Sequence, residues 1–135
     1  MIDEQAPYEF TVELGSDFPQ ATARVLDALK QAQFSILSDI DLAQVISSGS
    51  TPSEYRGIIV CSPELLQQAI GFDPGVGLLF VSKVIIRRDR TRNVVIAAFT
   101  DPVTVLSLTN NPEITSLGWK ERGRLEQVRD SLAGG

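Results

Sequence analysis

The sequence contains no histidine and only one cysteine, Cys61, among its 135 residues. Without histidine the chain lacks the commonest general base and the commonest transition-metal ligand, and a lone cysteine cannot form an internal disulfide. No run of residues approaches the roughly 18 consecutive apolar positions that a membrane-spanning helix requires. These absences exclude most familiar active sites, and we expect no metal, no cofactor and no membrane contact.

Basic residues are also few, with 12 against 17 acidic residues and a net charge of −5. Nucleic-acid-binding domains are usually basic, so a general DNA-coating role is disfavoured. Four of the basic residues nevertheless lie within one six-residue segment, as Arg87, Arg88, Arg90 and Arg92. Such a segment attracts phosphates without reading sequence. We expect this segment to lie at the tip of a hairpin. The simpler interpretation is therefore a solvated loop or a loop that contacts a neighbouring subunit.

Length and composition fit one globular domain. The chain is 43% hydrophobic and 21% charged, and two separately cored domains would each be unusually small. We expect a flexible tail at residues 1–7, a single domain at 8–132 and a short tail at 133–135. The acidic start of the chain is unlike a secretory signal, which favours a cytoplasmic location.

The first half of the chain alternates between strand and helix patterns. Apolar residues at every second position of 8–14 predict a half-buried strand. Asp17 is placed to cap the helix that follows, and the alternating pattern returns at 34–40. Beyond that strand we expect a short apolar turn at 42–46 and an exposed, mobile loop at 47–53.

The next segments predict a buried strand, a short helix and a hairpin. The β-branched run at 56–61 lacks polar alternation, as is typical of a central strand. Ser62 and Pro63 then have the cap and first-turn proline of a helix start. Apolar runs at 78–86 and 94–99 flank the arginine-rich loop, and we expect them to pair as a hairpin.

The last part of the chain is predicted to be helical. Asp101 and Pro102 begin a short apolar segment, and Asn111 begins the terminal helix. The apolar face of that helix is formed by Ile114, Leu117, Leu125, Val128 and Leu132. The resulting order, β-α-β-β-α-β-β-α, indicates an α+β fold. We expect a single antiparallel-rich, curved sheet of about five strands with helices packed on one face.

Several of these segments together resemble one bacterial and archaeal family. The residues concerned are Ile58-Ile59-Val60-Cys61-Ser62-Pro63, Ala69, Phe72-Asp73-Pro74, Gly77-Leu78-Leu79 and Asp101-Pro102. In these features the chain is similar to the family called domain of unknown function 302, over residues 8 to about 132. The resemblance implies a TATA-binding-protein-like α+β arrangement, a compact dimer and no established activity. The chain departs from the family at Phe80-Val81, where proline and cysteine are frequent, and at Gln33, where a helix usually ends in glycine.

Cys61 directly precedes a predicted helix, where unpaired amides and the helix dipole can lower the pKa of a thiol. A thiol-dependent enzyme or a redox sensor that uses Cys61 is therefore one alternative. Cys61 also ends a strand that we expect to be buried, and the chain has no histidine or second cysteine to activate or resolve it. A structural cysteine is the simpler interpretation.

The same helix start suggests a site for a small anionic ligand. The residues that such a site would use are Cys61, Ser62, Asp73, Gly75, Gly77 and Asp101. The sequence contains no phosphate-binding loop and no dinucleotide fingerprint. Ordinary helix caps and turns explain the same residues.

The predicted strand at 78–86 is apolar on both faces near its start. A sheet that helices cover on one side should be polar on the other, so we expect a second subunit to cover the face with Leu79, Val81 and Ile85. The leading hypothesis is a homodimeric module that binds a small ligand or a protein and catalyses no reaction. The alternatives are thiol chemistry at Cys61 and nucleic-acid contact through the arginine-rich loop.

Overall fold

Five strands and five α-helices make up residues 7–46 and 54–134, the part of the chain that the computed structural model describes. The elements are β1 (Glu9–Glu13), α1 (Phe18–Gln31), β2 (Ser35–Asp41), α2 (Leu42–Ile46), β3 (Tyr55–Cys61), α3 (Pro63–Phe72), β4 (Ser82–Asp89), β5 (Val94–Thr100), α4 (Pro102–Leu106) and α5 (Pro112–Ala133). Short 3₁₀ segments at Pro74–Leu78 and Ser107–Thr109 precede β4 and α5. The loop predicted at 47–53 and most of the predicted N-terminal tail lie outside the described residues.

The strands form one open antiparallel sheet in the order β1-β5-β4-β3-β2. This arrangement confirms the predicted α+β class, and it makes β3 an interior strand. Phe10 of β1 pairs with Phe99 of β5, and their rings stack at 5.3 Å between centroids. Both rings are buried in the hydrophobic core, on the side of the sheet that the long helices cover.

The core is divided into two hydrophobic clusters. The sheet cluster lies between the strands, α1 and the second half of α5, and it includes Val25, Leu29, Ile58, Val60, Val84, Phe99, Leu125 and Val128. The α3 cluster joins α3, the first 3₁₀ segment, α4 and the first half of α5, and it consists of Leu65, Ala69, Val76, Phe80, Leu106, Ile114 and Leu117. Helix α5 is thus shared by both clusters.

The strand predicted at 78–86 begins four residues later than expected, at Ser82. Asp73 caps a 3₁₀ segment with its side chain, and the backbone N–H of Phe80 donates to the carbonyl of Val76 at 2.8 Å. Val76 and Phe80 are buried in the α3 cluster. Their packing therefore overrides the strand preference of this apolar run.

Two local features of the first half differ from a regular pattern. Gln33 lies just after α1 and has φ +68°, which is in the left-handed region. Glutamine here takes the backbone conformation that glycine usually provides at the end of a helix. In β2 the pairing register shifts between Ile36 and Ser38. This bulge leaves Leu37 exposed, and it interrupts the strict alternation predicted at 34–40.

Helix α4 packs closely against α5 at Gly118. A Cβ at this position would lie 3.0 Å from Cδ1 of Leu106 and 3.4 Å from the carbonyl oxygen of Pro102. At Gly123, on the same helix, a Cβ would meet no atom of the described residues within 4 Å. Only the first of these two interior glycines is required by packing.

Candidate functional site

A buried glutamate separates the two hydrophobic clusters. Leu117, Glu121 and Leu125 follow one another at four-residue spacing on α5, so their side chains share one face of the helix. Leu117 belongs to the α3 cluster and Leu125 to the sheet cluster. Glu121 between them has an exposed fraction of 0%. The acid therefore lies at the boundary between the clusters.

Two serines act on this acid. Ser82, the first residue of β4, donates its hydroxyl to Oε2 of Glu121 at 3.0 Å. The backbone of Ser62, which precedes α3, lowers the pKa of the same carboxyl group. Both serines are buried, with exposed fractions of 3% and 1%. We call Ser62, Ser82 and Glu121 the polar layer, and it connects β4, α3 and α5.

Arg124 borders the polar layer on its outer side. Its Nη1 donates to Oγ of Ser62 at 2.6 Å, and its Nη2 lies 3.5 Å from Oε2 of the exposed Glu64. Oε1 of Glu121, by contrast, is buried and has no hydrogen-bond partner among the described residues. An unpartnered oxygen is costly to bury, and the cost is greater when the carboxyl group is charged.

Burial raises the pKa of Glu121 to about 7, against the opposing effects of the Ser82 hydrogen bond, the Ser62 backbone and the charge of Arg124. Burial, and then the nearby charge of Glu121, also raise the pKa of the Cys61 thiol. Cys61 is itself buried. Because the thiolate is the nucleophile, these surroundings do not activate Cys61.

Sequence reasoning did not identify Glu121, although its position carried a signal. The apolar stripe predicted for the last helix passes from Leu117 to Leu125, and residue 121 fills the gap at helical spacing. An ionisable residue in the middle of an apolar stripe indicates a buried charge or a buried neutral acid. The buried face of α5 therefore includes residue 121.

The six residues predicted for an anion site do not form one pocket. Cys61 and Ser62 lie beside Glu121 at the start of α3. Asp73 follows the other end of this ten-residue helix, about 15 Å away along its axis. The carboxyl group of Glu121 interacts with the backbone of Ser62 at this helix start, so an acid of the chain itself takes the place that an anion would occupy.

The two aspartates of the predicted anion site each cap a short helical segment. Asp73 accepts a hydrogen bond from the backbone N–H of Gly75 at 3.0 Å, which begins the first 3₁₀ segment; Gly77 is an exposed residue of the same segment. Asp101 accepts from the N–H of Val103 at 3.0 Å and pairs with Arg122 at 3.3 Å. Both aspartates thus have structural partners.

The arginine-rich loop is largely neutralised by acids of its own chain. Arg88 pairs with Glu54 at 2.6 Å. Arg92 pairs with Glu13 at 2.6 Å and with Asp89 at 3.3 Å. The four arginines of the segment and these three acids together carry a charge of +1, from +4 and −3. This weak local charge gives little attraction to nucleic acid.

The face of the sheet opposite the long helices carries two charged columns. Glu9 and Glu13 lie on β1, and Lys83 and Arg87 lie on β4. The pairing register places Glu13, Ile96 and Arg87 side by side. Each column spans four residues, about 13 Å, and the two columns are two strand spacings, about 10 Å, apart. We call this surface the open face; it consists of Glu9, Thr11, Glu13, Lys83, Ile85, Arg87, Ile96, Ala98 and Thr100.

An apolar strip lies between the two columns, formed by Ile96 and Ala98 of β5, which have exposed fractions of 7% each. Ile85, which is half-buried, lies beside this strip, between Lys83 and Arg87 of the basic column. On the same side of the sheet, Leu42 of α2 lies over Gly57 of β3, where an added Cβ would be 2.9 Å from Cδ1 of the leucine. Helix α2 therefore packs on β3 and leaves β1, β5 and β4 as the open part of the surface. A groove of about 280 Å³ at its edge is lined by residues that include Tyr8, Lys83, Ile85, Ala98 and Val105.

Of the three residues predicted for a dimer interface, Ile85 lies on the open face. Leu79 packs against the α3 cluster, and Val81 is a half-buried residue directly before β4. The prediction placed all three on one strand, whereas the strand begins only at Ser82.

Within residues 7–46 and 54–134, no group of three or more Cys, Asp or Glu side chains is arranged to hold a metal ion. In the same part of the chain, no helix is both long and apolar enough to cross a membrane.

Comparisons with known proteins agree with this architecture. A family sequence profile described as "Domain of unknown function DUF302" matches residues 10–132. The crystal structure of an uncharacterized conserved protein DUF302 from Bacillus stearothermophilus is similar, with a TM-score of 0.82 at 16% sequence identity. The match covers 93% of this chain and 98% of that chain, and it shows a shared fold. No curated protein matches the chain in sequence.

Proposed function

This chain belongs to the family of the domain of unknown function DUF302, and we propose that it acts as a non-catalytic homodimer that assembles through the open face of its sheet. The observation that carries this proposal is the apolar strip between an acidic and a basic column of equal length. Because a twofold interface brings one surface against itself, the surface must be complementary to itself. A strip flanked by opposite charges meets this requirement.

The two columns favour one orientation of the copies. When two faces pack about a twofold axis, the axis lies in the plane between them. An axis parallel to the strands above β5 places β1 of one copy over β4 of the other, so that Glu9 faces Lys83 of the second copy. An axis perpendicular to the strands would place β1 over β1 and bring Glu9 against Glu13. Charge complementarity favours the parallel axis.

The charges required for this contact are available. Within residues 7–46 and 54–134, neither Glu9 nor Lys83 nor Arg87 forms an ion pair. Glu13 already pairs with Arg92, so its contribution is smaller. Exposed ion pairs contribute little free energy by themselves. In this proposal the columns set the orientation. The apolar surface that the contact buries is that of the half-buried Ile85 and of the groove beside it, because Ile96 and Ala98 are already buried.

The groove at the edge of the open face lies within the proposed contact. Its apolar walls include Ile85, Ala98 and Val105, and Lys83 and Thr100 supply polar groups. A small ligand in this groove would therefore bind between the two copies. A dimer of this kind leaves room for the binding of a small molecule without requiring a catalytic group.

Two other functions have weaker support. Thiol chemistry at Cys61 requires an accessible thiolate, whereas this thiol is buried and its pKa is raised by burial and by Glu121. Nucleic-acid contact requires free cations, whereas Arg88 and Arg92 are paired with acids of the chain. The Cys61 thiol and the arginine-rich loop therefore support these alternatives less well than the open face supports dimerisation.

Light scattering tests the proposal directly. We expect the wild-type protein at micromolar concentration to have twice the monomer mass of 14.7 kDa. Ile85→Glu should give a folded monomer, because the parallel axis places residue 85 over Thr11 of the second copy, between its Glu9 and Glu13. Leu108→Glu is the matched control, since Leu108 is an exposed apolar residue away from the open face, and it should remain dimeric. A monomeric wild type, or a folded dimer of Ile85→Glu, would contradict the proposal.

A further inference from the structure

We propose that Glu121 is a proton-controlled latch between the two hydrophobic clusters. The neutral carboxyl group holds the α3 lobe, which comprises α3, α4 and the first half of α5, against the sheet. Ionisation of the carboxyl group loosens this lobe while the sheet and α1 remain folded. The inference concerns the interior of one chain and does not depend on the dimer.

The position of the polar layer carries the proposal. In three separate segments the chain passes from one hydrophobic cluster to the other at a polar-layer residue: Val60 and Leu65 flank Ser62, Phe80 and Val84 flank Ser82, and Leu117 and Leu125 flank Glu121. The carboxyl group of Glu121 accepts a hydrogen bond from Ser82, and the backbone of Ser62 acts on the pKa of the same group. A single group thus joins all three crossing points.

The charged form of this group is poorly accommodated. Oε1 of Glu121 is buried without a partner among the described residues, and the side chain is fully buried. Movement of the α3 lobe away from the sheet would let water reach this oxygen. Ionisation therefore favours the opened arrangement, since water solvates a carboxylate far better than an apolar core does.

The groups around Glu121 compensate its charge only in part. Those that interact with it are the Cys61 thiol at the end of β3, the Ser82 hydroxyl of β4 and Arg124 of α5. The ion pairs of the adjoining segments join Arg124 to Glu64 of α3, and Arg122 of α5 to Asp101 before α4. Arg124 also lies against Ser62. Lys83 belongs to the opposite face of β4. Burial therefore dominates, and the pKa of about 7 lies in the neutral range.

Hydrogen exchange tests the latch in the intact protein. After correction for intrinsic exchange rates, we expect the protection of α3 amides to fall about tenfold between pH 6 and pH 8, because one pH unit above the pKa corresponds to a factor of ten. The amides of α1 should change much less. In Glu121→Gln this pH-dependent fall in the protection of α3 amides should disappear. The control is Glu126→Gln, which changes an acid five residues further along α5 and should retain the fall.

Three results would overturn the proposal: α3 protection in the wild type that is independent of pH, the same pH dependence in Glu121→Gln, or an equal fall in α1 and α3. The last result would indicate unfolding of the whole chain. If Glu121→Gln does not fold, a carbon-13 NMR titration of the wild-type Glu121 carboxyl group replaces it. A midpoint near 7 supports the latch, and a midpoint between 4 and 5 overturns it.

Discussion

The hydroxyl of Ser82 donates a hydrogen bond to Oε2 of Glu121 at 3.0 Å, across 39 residues of sequence and between a strand and a helix. Oε1 of the same carboxyl group has no partner among the described residues. One oxygen is thus satisfied and the other is not, at the point where the two hydrophobic clusters meet. Protonation relieves the resulting cost, because it removes the buried charge.

The first prediction concerns stability and pH. Burial raises the pKa of Glu121 from the ordinary glutamate value of 4.5 to about 7 in the folded chain. Its stabilising contribution is therefore complete below pH 4.5 and is lost as pH rises through 7. Relative to Glu121→Gln, the free energy of unfolding of the wild type should fall by about 2.5 kcal/mol between pH 5 and pH 8.

Urea unfolding of both proteins at several pH values measures this difference, and other titrating groups cancel in the comparison. Parallel pH profiles for the wild type and Glu121→Gln would contradict the assignment.

The second prediction concerns the donor. Ser82→Ala removes the hydroxyl from a buried carboxyl group and should lower the free energy of unfolding by about 1–3 kcal/mol. Loss of this hydrogen bond should also raise the pKa of Glu121 further, because the bond favours the charged form. Ser116→Ala, at an exposed position of α5, is the control and should change stability by less than about 0.5 kcal/mol. Equal effects of the two substitutions would argue against the polar layer.

The third prediction compares two glycines of one helix. Gly123→Ala should stabilise the protein by about 0.5–1 kcal/mol, because alanine is the better helix former and its Cβ meets no described atom within 4 Å. Gly118→Ala should lose this gain or destabilise, because its Cβ would lie 3.0 Å from the buried Leu106. Thermal unfolding of both variants measures the difference. A larger gain at position 118 than at 123 would show that α4 does not pack as described.

The fourth prediction concerns the lone cysteine. Because Cys61 is buried and its thiol pKa is raised by burial and by Glu121, a thiol-specific reagent should modify the native protein slowly at neutral pH. The same reagent should modify the urea-unfolded chain rapidly. Equal rates in the two states would restore thiol chemistry as a candidate function.

The elements whose signals are local could be predicted from the sequence. Asp17 and Asn111 cap the helices that they were expected to cap, since each side chain accepts a backbone N–H of the first turn. The alternation of apolar and polar residues alone predicts which side chains of β1 are buried. These signals lie within a few residues of chain, where side-chain chemistry and backbone geometry determine the outcome.

The remaining features depend on contacts between distant segments. The apolar run at 78–86 does not become a strand at once, because Val76 and Phe80 are drawn into a cluster with α3 and α5. The polar layer joins residues 62, 82 and 121, and no periodicity in one segment reveals the other two. The alignment of the acidic and basic columns required the strand order, which places β5 between β1 and β4.

The most direct test of the account is a charge exchange across the proposed dimer, measured by sedimentation equilibrium. With the axis parallel to the strands, Lys83→Glu should weaken dimerisation about tenfold by placing two acids opposite each other. Glu9→Lys alone should weaken it similarly, and the double variant should recover most of the wild-type affinity. A double variant no tighter than either single variant, or a Glu9→Lys dimer tighter than the wild type, would contradict assembly through the open face in this orientation.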